Sequence, residues 1–143
     1  MLSFLPAFIL GPLSFLLFAL NTLFWCLLFY IVLLFKLPVP WKPWREGCSS
    51  LLTRIAEAWT ACNMAAIHAT QRIKWDVQGD ADLSKKDWYL VSANHQSWVD
   101  VVVIQRVFNR RIPFPKFFLK KELIWVPVLG GAWWALDYPF MKR

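Results

Sequence analysis

The first charged side chain of this sequence is Lys36; the 35 residues before it carry none. A helix rises about 1.5 Å per residue, so about 20 apolar residues cross the hydrocarbon of a bilayer. Residues 12–35 are sufficient for one span. Residues 2–11 before them read as an interfacial or re-entrant lead-in, with Gly11-Pro12 as the break. One span and a short hairpin both fit the run. A cleaved signal peptide begins with basic residues, has a short apolar core and ends in small residues at the cleavage site. None of these is present, so residues 1–36 are expected to form an uncleaved anchor. Lys36, Lys42 and Arg45 follow the span and no basic side chain precedes it. The positive-inside rule then puts everything after the span in the cytoplasm, with Trp41 and Trp44 at the depth of the interface.

Beyond the anchor lie all 16 Lys and Arg and all 9 Asp and Glu, a formal net charge of +7. Basic surfaces of this kind attract nucleic acid, anionic lipid headgroups or phosphorylated substrates. The apolar surroundings favour lipid. Nucleic-acid binding is set aside, because the chain has no glycine-rich phosphate loop and no zinc-ligand spacing, and its aromatic residues follow apolar segments. Cys26, Cys48 and Cys62 are odd in number and lack C-x-x-C spacing, which argues against a disulfide framework and a metal site. A length of 143 residues allows one domain besides the anchor.

Residues 37–72 open with a proline-rich break at 37–43. A helix follows, capped by Ser49 or Ser50, with Leu52, Ile55, Trp59, Cys62, Ala66 and Ala69 on one face. That face packs against a core or rests on the membrane. Residues 73–77 alternate apolar and polar as a strand with one wet face does, and 88–93 are rich in strand formers. An apolar helix is expected over 97–108 and a buried strand over 117–119. A stretch bent at 127–131 and a last strand within 135–141 follow. The expected fold class is α/β: an N-terminal transmembrane helix followed by an incomplete mixed α/β domain over residues 73–143.

The chemistry concentrates in Asn94-His95-Gln96-Ser97-Trp98-Val99-Asp100. Five steps along one helix would place His95 and Asp100 about 140° apart, so they meet only if His95 precedes the helix and Asp100 reaches back from its first turn. A carboxylate behind an imidazole fixes its tautomer and stabilises its cation while the other nitrogen takes a proton, which equips the pair to activate a hydroxyl. By spacing alone the pair is weak evidence for catalysis, because a His and an Asp within five residues arise often by chance.

The same seven residues match the Asn-His-x4-Asp signature of the glycerolipid acyltransferases. The chain resembles the bacterial 1-acylglycerol-3-phosphate (lysophosphatidate) acyltransferase family, in particular its membrane-anchored inner-membrane branch. Two further blocks carry the resemblance: Leu-Ser-Lys-Lys-Asp-Trp-Tyr-Leu at 83–90 and Trp-Ala-Leu-Asp-Tyr-Pro-Phe-Met-Lys-Arg at 134–143. The resemblance implies transfer of a fatty acyl group from acyl-CoA or acyl carrier protein to the hydroxyl of a lysophospholipid, in phospholipid biosynthesis or remodelling. His95 would be the base and Asp100 its orienting partner. Arg143, with Lys142 beside it, would contact the acceptor phosphate, and Lys120, in a Lys-Lys-Glu-Leu stretch similar to one the family carries, would be a further contact. The acyl donor is a co-substrate; no resident cofactor, metal or nucleic acid is implied, and the oligomeric state is left open. The implied location is the cytoplasmic face of a bacterial inner membrane. The family's Glu-Gly-Thr-Arg block and its later proline-containing block do not occur here. The chain is therefore expected to correspond to the N-terminal half of such an enzyme, the alternative being an inactive membrane remnant or subunit.

Overall fold

A computed structural model describes residues 6–71, 73–79, 82–94 and 96–142. The order of elements is α1 (Ala7–Lys36), α2 (Lys42–Thr70), α3 (Trp98–Phe108), β1 (Leu119–Lys120), a 3-10 helix (Lys121–Trp125), α4 (Leu129–Ala135) and β2 (Phe140–Met141). The chain divides into two compact units, Met1–Ala19 with Thr60–Pro115 and Leu20–Trp59 with Lys116–Arg143. Both long helices contribute to each.

Helix α1 is the one described helix long and apolar enough to cross a membrane. At about 1.5 Å per residue, its 30 residues reach about 45 Å, against roughly 30 Å of hydrocarbon. The break expected at Gly11-Pro12 is absent: the helix is continuous from Ala7 and Pro12 lies inside it. Ile9 and Leu10 N–H donate to the Pro6 carbonyl at 3.0 Å each, so the ladder is already closed when Pro12 is reached. Proline there removes one ladder bond, a loss that a long apolar helix absorbs. Phe8, Phe15 and Leu34 are each at least 70% exposed, so large apolar side chains face outward along the helix.

Residues 37–41 separate the two long helices. Helix α2 begins at Lys42, ahead of the expected cap, and Ser49 and Ser50 lie within it. Pro43 sits in the first turn, where its missing N–H costs nothing because that donor has no helical acceptor. The buried residues of α2 are Cys48, Leu52, Ala56, Thr60, Met64 and Thr70, whereas Cys62 is exposed and Ile55 and Trp59 are half-buried. The buried face thus follows a four-residue ridge, rotated from the three-and-four stripe expected from the apolar residues. Cysteine, alanine and threonine on that ridge are small enough for close helix approach, and a threonine hydroxyl satisfies itself on its own helix. Thr70 does so, donating to the Ala66 carbonyl at 2.8 Å.

In the second unit, Cys26, Phe29, Leu33 and Lys36 form the buried stripe of α1. The Phe29 ring meets Trp59 edge-on at 6.2 Å, and Trp44 Nε1–H donates to the Phe35 carbonyl at 3.0 Å, closing one of the open carbonyls at the α1 terminus. Helix α4 seats on the 3-10 helix through Gly130, where a Cβ would stand 2.0 Å from the Ile124 carbonyl oxygen. Strands β1 and β2 pair in parallel, Leu119 opposite Phe140 and Lys120 opposite Met141.

The described residues are mostly helical with few strands, so the α/β expectation has only weak support in the short parallel pair β1–β2. Residues 73–78 and 88–94 carry no strand, and the strands expected at 117–119 and 135–141 shrink to the two-residue pieces β1 and β2. Alternation selects which face of a strand would be buried, but the ladder itself needs a neighbouring strand. Among the described residues none lies beside these segments, and Trp88 and Leu90 are at least 90% exposed. Residues 73–78 are held by a side chain instead: the Arg106 guanidinium of α3 lies 4.4 Å from the centre of the Trp75 ring.

Candidate active site

In the first unit, α3 opens with a reciprocal cap. Ser97 is extended, and its hydroxyl accepts from Val99 N–H at 3.2 Å. Asp100, three residues on, returns the bond: its Oδ2 accepts from the N–H of Ser97 at 2.7 Å and of Gln96 at 2.5 Å. These two donors would otherwise be unfilled at the helix start, and the helix dipole there favours a negative charge. Bonds to an ionised acceptor are about twice as strong as neutral ones, so the carboxylate is held firmly over the chain that immediately follows position 95. Asp100 thus reaches back from the first turn, as a meeting with a residue ahead of the helix requires. His95 itself lies outside the described residues.

Sequence reasoning assigned no role to Ser97 or to the Gln96 N–H. The signal was present: Ser-x-x-Asp ahead of an apolar run is a capping box with a shortened acid. Upstream, the block at 83–90 folds on itself. Ser84 Oγ accepts from Lys86 N–H at 3.1 Å, and the Ser84 N–H donates to the Tyr89 phenol oxygen at 2.8 Å.

The other candidates belong to the second unit. The β1–β2 register places Lys120 opposite Met141, one residue short of Lys142, so the backbones of two candidate phosphate contacts lie near the end of one parallel ladder. Both side chains are exposed, as is Lys121 at the start of the 3-10 helix. Arg143 lies outside the described residues. Tyr138 packs its ring against Phe117 at 6.3 Å, and burial pushes its phenol above its ordinary range. Among the described residues no three His, Cys, Asp or Glu side chains come together as metal ligands.

Residues 74–143 match the family model described as Acyltransferase. No curated protein and no solved structure matches the chain.

Proposed function

We propose, from the match of residues 74–143 to the acyltransferase family model, that the chain carries the acyl-transfer centre of a lysophospholipid acyltransferase. The acyl donor is acyl-CoA or acyl carrier protein, and the acceptor hydroxyl comes from a lysophosphatidate-like lipid. The observation that carries the reading is the grip of the Gln96 and Ser97 N–H groups on Asp100 Oδ2, beside His95 in sequence. A carboxylate with one oxygen anchored to the backbone is a fixed reference against which an imidazole can be oriented.

In this reading the free nitrogen of His95 takes the proton of the acceptor hydroxyl as its oxygen attacks the thioester carbonyl. Asp100 stabilises the imidazolium that forms. Collapse of the tetrahedral intermediate breaks the carbon–sulfur bond, and the imidazolium returns its proton to the thiolate. The products are an ester and a free thiol. Lys120, Lys142 and Arg143 supply positive charge for the acceptor phosphate, the lysines as compact point charges and the arginine as a planar fork.

Helix α1 spans the inner membrane, with the remainder on the cytoplasmic side where Lys36, Lys42 and Arg45 follow it. The length and outward apolar face of α1 support this placement. Lipid mass spectrometry of membranes expressing the chain, supplied with lysophosphatidate and labelled acyl-CoA, tests the reading. Labelled phosphatidate above the level of a His95→Ala control is expected. Equal labelling in the two would defeat it.

A further inference from the structure

Just after α1 ends and α2 begins, the second unit holds a cleft of about 500 Å³. Its cations are Lys36, Lys42 and Arg45, its carboxylates Glu46 and Asp137, and its hydroxyl that of Ser49. Lys42, Arg45, Glu46 and Ser49 recur at three- and four-residue spacing, which gathers them on one face of α2. Each carboxylate already faces a lysine: Glu46 stands 3.9 Å from Lys42, and Asp137 3.9 Å from Lys36. Arg45 makes no ion pair among the described residues, so the cleft keeps one uncompensated guanidinium. Its fork of donors fits the oxygens of a phosphate, and the Ser49 hydroxyl one turn further on supplies another donor.

We infer that this cleft binds the phosphate of an anionic phospholipid headgroup, using residues other than those read as the acyl-transfer pair. The inference rests on α1 spanning the bilayer, because the cleft then opens where that span meets water. Free inorganic phosphate shares the chemistry, but the surroundings select lipid. Lys36 is the last residue of the apolar helix, and Trp41 and Trp44, 65% and 42% exposed, are the amphipathic rings that settle at headgroup depth.

The test uses the full chain in nanodiscs, with native mass spectrometry counting retained lipid. Phosphatidylglycerol, phosphatidylcholine and inorganic phosphate form the three arms. The parent should retain phosphatidylglycerol in preference to phosphatidylcholine. Lys42→Gln/Arg45→Gln should weaken that retention by about 30-fold, the worth of two basic side chains at an anionic surface. Lys74→Gln/Lys116→Gln, also exposed lysines, should behave as the parent. Unchanged retention in the first variant, or equal retention of the two lipids by the parent, would overturn the cleft. So would stripping of the bound lipid by millimolar inorganic phosphate. Alkaline carbonate extraction separates this from the underlying reading: a chain released by carbonate ends the span, whereas a chain that stays embedded without lipid preference ends the cleft alone.

Discussion

Lys36 Nζ stands 3.9 Å from Asp137 Oδ2 and 3.4 Å from the Ala135 carbonyl oxygen, joining the last residue of α1 to the turn after α4. The pairing is lopsided, the lysine side chain being 8% exposed and the aspartate 62%. Sequence reasoning used Lys36 only to orient the span. The structure gives it a second task, as a buried tie within the second unit.

Because the carboxylate is wet, Asp137→Ala should cost about 1 kcal/mol, nearer an exposed pair than the 3–5 kcal/mol of a buried one. Lys36→Met keeps the stem's volume but leaves a solvated carboxylate and the Ala135 carbonyl without their donor, so it should cost about 1 kcal/mol as well. Thermal unfolding in detergent at low and high salt measures both. A loss above about 3 kcal/mol for Asp137→Ala would mean the pair is far drier than the geometry implies.

The reciprocal cap makes Asp100 both a structural and a chemical residue, and substitutions separate the two. Asp100→Asn keeps an oxygen that accepts from Gln96 and Ser97 N–H, so α3 should persist while turnover falls severely for want of the charge. His95→Ala should lower turnover by about 10²–10⁴-fold. The double variant should be little worse than the poorer single one, because the two residues act as a unit. Labelled acyl transfer by folded, membrane-inserted variants decides the matter, and parental rates in His95→Ala would end the assignment.

Ser97→Ala removes the other half of the cap and none of the proposed proton chemistry. A loss of about 1 kcal/mol in stability is expected, with a much smaller fall in turnover than Asp100→Asn produces. Helix content by circular dichroism and acyl transfer on the same samples provide the comparison.

Two adjacent glycines should respond unequally to alanine. At Gly130 the new Cβ meets backbone, the Ile124 carbonyl oxygen at 2.0 Å; at Gly131 it meets the end of a side chain, the Tyr30 hydroxyl at 2.5 Å. Tyr30 can swing away at the expense of its 2.9 Å bond to the Val128 carbonyl, but the Ile124 peptide cannot. Gly130→Ala should therefore destabilise by about 1–3 kcal/mol, and Gly131→Ala by less. Equal melting temperatures for the two variants would contradict this packing.

Burial raises the Tyr138 phenol pKa above its value in the unfolded chain, which fixes the sign of a pH effect. Its stabilising contribution is complete below about pH 10, where both states are protonated, and declines above that as the unfolded phenol ionises. Tyr138→Phe should flatten the alkaline part of the stability profile. An unchanged slope above about pH 10 would show that other groups set it.

The long apolar run, the break after it and the helix following the His95 motif were all legible, because each is encoded by local composition or a local cap. The reach of Asp100 back over Ser97 also followed from geometry once His95 was placed ahead of a helix. What escaped depends on partners distant in sequence. The alternation at 73–77 describes a face but names no neighbouring strand, and Trp75 found Arg106 of α3 in its place. The buried ridge of α2 was misjudged because Thr60 is polar by type, yet it is 2% exposed. The Lys36–Asp137 tie has no signature at all in a linear reading.

The cap at Asp100 spans at most four residues, whereas the Lys36 bond to the Ala135 carbonyl closes a separation of 99. Closing a loop of about ten residues takes about 10–100 ns, so the grip on the carboxylate forms as fast as α3 itself nucleates. The Lys36 tie must wait until the ribosome has delivered Ala135 and Asp137, seconds after Asp100 at about 5–20 residues per second. In a cell, the carboxylate of Asp100 is thus gripped before the end of α1 acquires its partner, and the turn after α4 closes on Lys36 as a later clasp.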